Sequence, residues 1–342
     1  MKDRGSAVGL VAVSAALRGL LCVALIGDSV NSANTALASP GRPLVGDIVR
    51  DDVERFAHGL PVQVALATPE DGSLDFAFNT RKDDRFAVGS VGKSITAAIA
   101  LGLFSTSEIE GPIADIAPGI PGGATVRTRD LLLHSSGYQD VLSAAPQDLS
   151  ECAFSVLLAL PLAFAPGSEM RYSSTDYIVL AKLIEKKTGA EISTVFLSFF
   201  ERAGMRNSAL LQLPVTVPAA ALFPAESGQV TIDVPDFIGT GGVLAPASDI
   251  VKFDEFFFSQ RDLLQRLNSL TMVLPGSSTE VPGWFVARRG ASDPEYWHDG
   301  AFPGYSAVNI AIPSRKTFIA ITARGKINAY LAANTILDDL GI

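Results

Sequence analysis

Phe86-Ala87-Val88-Gly89-Ser90-Val91-Gly92-Lys93-Ser94 runs without interruption into the apolar stretch Ile95 to Leu103. Two chemistries compete for such a segment. Written as Ala-Val-Gly-Ser-Val-Gly-Lys-Ser, it falls one residue short of a phosphate-cradling Walker A loop, because Ala87 stands where the first glycine belongs. A phosphate loop also follows a buried strand, whereas Thr80 to Arg85 is charged. The second reading pairs Ser90 with Lys93 at the start of a helix. A separation of three residues puts both side chains on one helix face, about 5–6 Å apart at Cβ, so the amine can reach the hydroxyl. A serine hydroxyl attacks only if a neighbour takes its proton, and a desolvated lysine has the lowered pKa to help. The helix N-terminus adds an unpaired N–H at Ser90, suited to stabilising an oxyanion. Ser-x-x-Lys alone is common on helix surfaces, so the assignment depends on partners downstream.

Two such partners follow. Tyr172 lies in Met170-Arg171-Tyr172-Ser173-Ser174, ahead of another helical run, and His298-Asp299-Gly300-Ala301 leads into a C-terminal hairpin. In this order the three segments resemble the penicillin-recognising serine hydrolases, most closely the class C β-lactamase and D-alanyl-D-alanine carboxypeptidase branch. That family's pattern is Ser-x-x-Lys, then Tyr-x-Asn, then Lys-Thr-Gly or His-x-Gly. Leu131-Leu132-Leu133-His134-Ser135-Ser136-Gly137 resembles the family's Leu-Leu-x-His-x-Ser-Gly segment. Phe164-x-Pro166-Gly167 and Gly239 to Asp249 are similar to family segments too, so the resemblance spans nearly all of residues 43 to 325.

The resemblance implies that Ser90 is the acyl-forming nucleophile and that Lys93 and Tyr172 share the proton transfers. It implies Ala301 N–H as the second oxyanion donor, Gly300 as the point where substrate backbone approaches, and His298 as a polar or cationic contact rather than a triad base. His134 would belong to a structural loop. Ser174 stands where the family's substrate-contacting Asn is expected, and it offers one short hydroxyl in place of a donor and an acceptor on a longer arm. This departure counts against efficient β-lactamase action more than against acyl transfer. Lys187-Thr188-Gly189 spells Lys-Thr-Gly literally, but it ends the helical run from Ser174, where a lysine-rich end and a glycine cap are expected.

Around these motifs the chain reads as an α+β fold. Ile48 to Phe56 is an amphipathic helix, followed by a hairpin of Val62 to Ala67 and Leu74 to Phe78 around Pro69-Glu70-Asp71-Gly72. Gly304 to Ile312 and Thr317 to Thr322 form a second hairpin across Pro313-Ser314-Arg315, and the helical segment Ile327 to Leu340 follows. Between them lie mainly helical patterns: Ser90 to Phe104, Ser174 to Lys187, Ile192 to Glu201 and Ala247 to Phe258. Strands near both ends with helices between predict one antiparallel sheet, flanked by terminal helices, with an inserted helical lobe. The active site is expected where the lobes meet.

The first 38 residues stand apart. Lys2 and Arg4 precede an apolar stretch from about Val8, interrupted by Arg18 and cleanest from Gly19 to Gly27, and Ala36-Leu37-Ala38 supplies a small-x-small cleavage pattern. A membrane span needs about 20 apolar residues and a signal core about 7–15, so the segment reads as a signal peptide rather than an uncleaved anchor. Gly19-Leu20-Leu21 lacks the small residues that would precede a lipidated Cys22. Residues 39–342 are then a single exported domain, periplasmic or secreted, of two interleaved lobes. Its 24 basic and 34 acidic residues give a charge of -10, against -9 for the whole chain.

Scattered basic residues argue against a nucleic-acid partner. Three histidines and two cysteines, far apart, supply neither a zinc motif nor a disulfide framework, so no metal or other cofactor is expected. Cys152, the thiol left after leader removal, sits by the apolar stretch Ala153 to Leu162 and reads as buried. The implied function is a serine hydrolase forming an acyl-enzyme on an amide or ester. Its substrate would be a D-Ala-D-Ala peptidoglycan stem, a β-lactam or a small ester. The alternative of another class is a non-catalytic penicillin- or peptidoglycan-binding sensor. A carboxypeptidase needs a cation for the terminal carboxylate, and strand alternation would aim only one of Arg288 and Arg289 at the site.

Overall fold

The computed structural model describes residues 44–142, 149–219, 228–273, 279–290 and 293–342. The leader expected over residues 1–38 lies outside them. Among the described residues, six short strands, β3 (Phe86–Ala87), β4 (Leu149–Ser150), β5 (Ala209–Leu210), β6 (Val215–Pro218), β7 (Gln229–Asp233) and β8 (Val243–Ala245), form two three-stranded sheets. The remaining eight form one antiparallel sheet in the order Gly72–Phe78, Val62–Thr68, Thr317–Arg324, Tyr305–Ile312, Asp293–Phe302, Trp284–Arg289, Thr279–Val281, Met272–Val273. β1 (Val62–Thr68) and β2 (Gly72–Phe78) form the first hairpin, and β13 (Tyr305–Ile312) and β14 (Thr317–Arg324) the last. β1 pairs directly with β14, Val62 opposite Ala323, so residues 261 positions apart are neighbours in the sheet. The other half is β9 (Met272–Val273), β10 (Thr279–Val281), β11 (Trp284–Arg289) and the ten-residue β12 (Asp293–Phe302). The anticipated sheet of terminal strands is therefore present, enlarged by four strands between residues 272 and 302.

The two faces of the sheet are chemically different. Val62, Val64, Leu66, Val308, Ile310, Ile319 and Ile321 point to one side and bury themselves under the terminal helices Val45–Ala57 and Ala329–Asp339. Alternation puts small residues on the other side: Ala65, Ala67, Ala307, Ala311 and Ala320. Against these the helix Ala247–Ser259 can lie close, with Phe253, Phe257 and Phe258 packed on Trp284 from β11. Polar residues on this face are bonded. The Gln63 amide donates to Arg81 O and Asp84 O, and its oxygen accepts from Ala247 N and Thr322 Oγ1. Asn309 donates to Asp254 of the same helix at 2.9 Å.

The lobe is built on Gly92–Leu103 and Ser174–Thr188, both buried along most of their length. The latter ends on Gly189 in the left-handed region, so Lys187-Thr188-Gly189 is a helix terminus, and Lys187 pairs with Glu108. Cys152 corrects an expectation: it is exposed, on the helix Glu151–Leu158, because that helix turns Phe154 and Leu158 inward instead. Among the described residues no helix is long and apolar enough to cross a membrane.

Trp284 is the largest fully buried side chain and the seam between sheet and lobe. Trp284→Ala is expected to cost about 3–5 kcal/mol, read as a lower urea midpoint, since both the ring and its aromatic partners lose contact.

Candidate active site

The serine turn meets the sheet main chain to main chain. Ser90 lies in a short 3₁₀ turn, Gly89–Val91, that feeds the helix Gly92–Leu103. A Cβ on Gly300 of β12 would sit 1.9 Å from Val88 O, and one on Gly89, where φ is +52°, would sit 2.4 Å from Ala301 O. Only two glycines facing each other allow this approach. It brings the Ser90 and Ala301 amides to neighbouring positions, with Ser90 half-buried and Ala301 exposed. A second close approach sits below: Gly283, between β10 and β11, leaves no room for a Cβ beside Ala97, and its carbonyl accepts from Ser94 Oγ at 2.8 Å.

Lys93 points up one helical turn from below the serine. Its Nζ lies 3.0 Å from Ser90 Oγ and donates to Thr240 O at 3.1 Å. The side chain is completely buried, and that burial pulls its pKa down to about 7, against the opposing pull of Asp140, Asp299 and Asp176. Thr240 belongs to Ile238–Gly241, a single helical turn pressed onto Ser174–Thr188, where a Cβ on Gly239 would meet Ala181 Cβ at 2.7 Å. The Gly239–Asp249 segment thus places the carbonyl that holds the lysine.

Tyr172 stands over the amine, with Lys93 Nζ 4.9 Å from its ring centre. Its hydroxyl is enclosed and lacks a hydrogen bond of good geometry with the described residues. Burial pushes its pKa up, while nearness to the Ser90 hydroxyl favours ionisation. Ser90, Lys93 and Tyr172, distant in sequence, therefore form one cluster as expected.

The remaining expected contacts are placed with some differences. His298 is on β12, 3% exposed, with Nδ1 2.6 Å from Asp299 O. Burial, reinforced by Lys93, lowers its pKa to about 3, so near neutral pH it is a polar and not a cationic group. Ser174 is buried at the first position of its helix, and its N–H donates to Asp140 Oδ1 at 2.8 Å. The expected gathering of an arginine does not occur. Arg289 faces the terminal helices, bound to Glu295, Asp338, Asn334 and Ile342 O. Arg288 is exposed and pairs with Pro294, four residues along β12 from His298, a distance of about 13 Å.

Four residues of the cluster were not singled out from the sequence. Asp299 lay inside the His-x-Gly segment, where its charge was legible. Asp140 precedes Ser174 by 34 residues, and Phe285, whose ring lies 6.4 Å from Tyr172 and 5.5 Å from His298, sits on an unrecognised strand. Thr240 acts through its main chain, which its side chain does not announce.

A buried amine beside a half-open serine, facing two amides, can generate an alkoxide and stabilise the oxyanion formed on attack. Comparison with known proteins agrees with this geometry. The sequence model of the Beta-lactamase family matches residues 48–340. A D-aminopeptidase of Brucella anthropi is 29% identical over 250 residues, covering 63% of this chain and 46% of that protein. A penicillin-binding protein of Bacillus subtilis is 25% identical over 287 residues, covering 72% of this chain and 62% of its own length. The chain thus spans less than two thirds of these curated relatives. Among solved structures, a D-amino acid amidase from Ochrobactrum anthropi superposes with a TM-score of 0.70 at 19% identity, covering 87% of this chain and 98% of that one. A class C beta-lactamase does so with a TM-score of 0.68 at 16% identity, covering 86% and 94%. These likenesses establish the β-lactamase/transpeptidase-like α+β architecture, and the match over residues 48–340 places the chain in the beta-lactamase family of serine hydrolases.

Proposed function

We propose that this chain is an exported hydrolase of small amides or esters that lack a carboxylate near the scissile bond, with Ser90 as its acyl-forming nucleophile. The 3.0 Å contact between the Ser90 hydroxyl and a lysine whose pKa is drawn to about 7 carries the reading. Neutral Lys93, with Tyr172, takes the Ser90 proton as Oγ bonds to the carbonyl carbon. The Ser90 and Ala301 amides hold the oxyanion, and the proton passes to the leaving nitrogen or oxygen as its bond to carbon breaks. Water then cleaves the acyl-enzyme by the same path in reverse.

The charges around the serine support the choice of substrate. Lys93 is influenced by Asp140 and Asp299, His298 is neutral near pH 7, Arg289 is bound on the far side of the sheet, and Arg288 lies about 13 Å along the strands from His298. A β-lactam or a D-Ala-D-Ala stem brings a carboxylate to a site with little to neutralise it. An uncharged ester, or an amide bearing a free ammonium, meets no such penalty. The D-aminopeptidase and D-amino acid amidase among its relatives accord with this preference. Buried Ser174 in place of Asn also offers less to a β-lactam side-chain amide. That substitution favours a second reading, a ligand-binding sensor, which would show an acylation burst followed by slow turnover.

Ser90→Ala should abolish labelling by a fluorophosphonate probe; labelling at the full rate removes Ser90 from the chemistry. Tyr172→Phe should slow acylation at least about 100-fold if the phenol moves protons. Because the base is the neutral amine, kcat/KM should be fully developed above about pH 7 and fall tenfold per unit below it. Rates on p-nitrophenyl acetate, D-alanine amide, nitrocefin and a D-Ala-D-Ala peptide should favour the first two, and a preference for nitrocefin would overturn the substrate assignment.

A further inference from the structure

His134 occupies a position that the reaction scheme leaves unused. It is non-glycine yet sits at φ +49°, in the left-handed region, and is 2% exposed. A buried histidine adopts that backbone only where its surroundings impose it. Those surroundings converge on Tyr172. The N–H of Arg171 donates to His134 O at 2.8 Å, and the N–H of Ser173 donates to His134 Nδ1 at 3.2 Å, so one residue accepts from the amides on both sides of the tyrosine. The imidazole also packs on the phenol ring, centroid to centroid 4.4 Å, and on Tyr177 at 5.0 Å.

The same backbone N–H fixes the state of the ring. A nitrogen that accepts must present a lone pair, so Nδ1 carries no proton and Nε2 does. Nε2 faces Glu280 Oε1 at 3.8 Å, and Nδ1 has Asp176 Oδ2 at 3.7 Å. Lys93 and His298 are the nearby basic groups, and burial together with these two keeps His134 neutral. Glu280 and Asp176 are themselves enclosed, and burial holds both toward the protonated form. Ser136 donates to Asp176, and the layer beneath the tyrosine is close to uncharged.

We propose that His134 is the positioning residue for Tyr172: its carbonyl and Nδ1 clamp the flanking amides and so hold the phenol above Lys93. The proposal rests on the role given to Tyr172 above. It predicts that what matters at residue 134 is an acceptor at the Nδ1 position on a left-handed backbone. Asparagine supplies both, since Oδ1 lies the same number of bonds from Cα and asparagine tolerates this conformation. Phenylalanine supplies the ring without the acceptor.

Acylation by p-nitrophenyl acetate, normalised to sites titrated with a fluorophosphonate, distinguishes the cases. His134→Phe should slow acylation about 30-fold or more, and His134→Asn should restore it to within about threefold of the parent. In a Tyr172→Phe background, His134→Phe should change the rate less than about twofold, because the clamp then has nothing to position. Equal slowing in both backgrounds, an unslowed His134→Phe, or a folded His134→Asn as slow as the Phe variant would each overturn the proposal. If the Phe variant does not fold, the Asn variant decides the matter alone. Persistent labelling of Ser90→Ala, or an unslowed Tyr172→Phe, would instead refute the reaction scheme itself, which keeps the two failures apart.

Discussion

The enclosure of the Lys93 amine is the constraint on which the rest depends. Drawing a lysine from 10.5 to about 7 corresponds to about 5 kcal/mol of bias against its charged form. Such a bias needs walls on every side: the helix that carries the lysine, the turn that carries Thr240, the edge of β10 and β11 at Gly283, and the Tyr172 ring above. No single element could supply them. The fold packs the helix Gly92–Leu103 against both the sheet and the rest of the lobe so that one side chain is sealed while the hydroxyl one turn away stays half-open.

The seal requires main chains to touch. At Gly89, Gly239, Gly283 and Gly300 a methyl group would collide with backbone or a neighbouring Cβ. These contacts fasten the sheet, the serine turn and the lobe through main chain and short alanine side chains. The two family-like segments around residues 134 and 164 use the same device. A Cβ on Gly137 would lie 2.4 Å from Phe164 O, while Gly167 N donates to Ser135 O and Ala163 N to Gly137 O.

Much of this was legible in the sequence because it is written locally. The terminal hairpins carry apolar runs broken by turn residues, and the helices Gly92–Leu103 and Ser174–Thr188 begin at their motifs. β11 and β12 were harder to see. Arg288, Arg289, Asp293 and Glu295 interrupt the apolar pattern there, since their strands pair charges across the sheet edge and with the last helix. The charge state of His298 was likewise beyond reach, because desolvation is a property of the assembled site. Asp140 and Glu280 have no local signature; only folding brings them beside residues 34 or more positions away.

The two tryptophans of the chain divide between the two hydrophobic cores. Trp284 stacks on Phe253 and Phe257 and meets Phe258 edge-on beneath the helical lobe, and Trp297, one strand over, lies against Tyr330 of the last helix. Each core thus holds its own fluorophore. Single-tryptophan versions of the protein would therefore report separately on the layer that supports the active site and the layer that closes the back of the sheet. Their emission reveals whether the protein melts as one cooperative body or gives up the layer around Lys93 first.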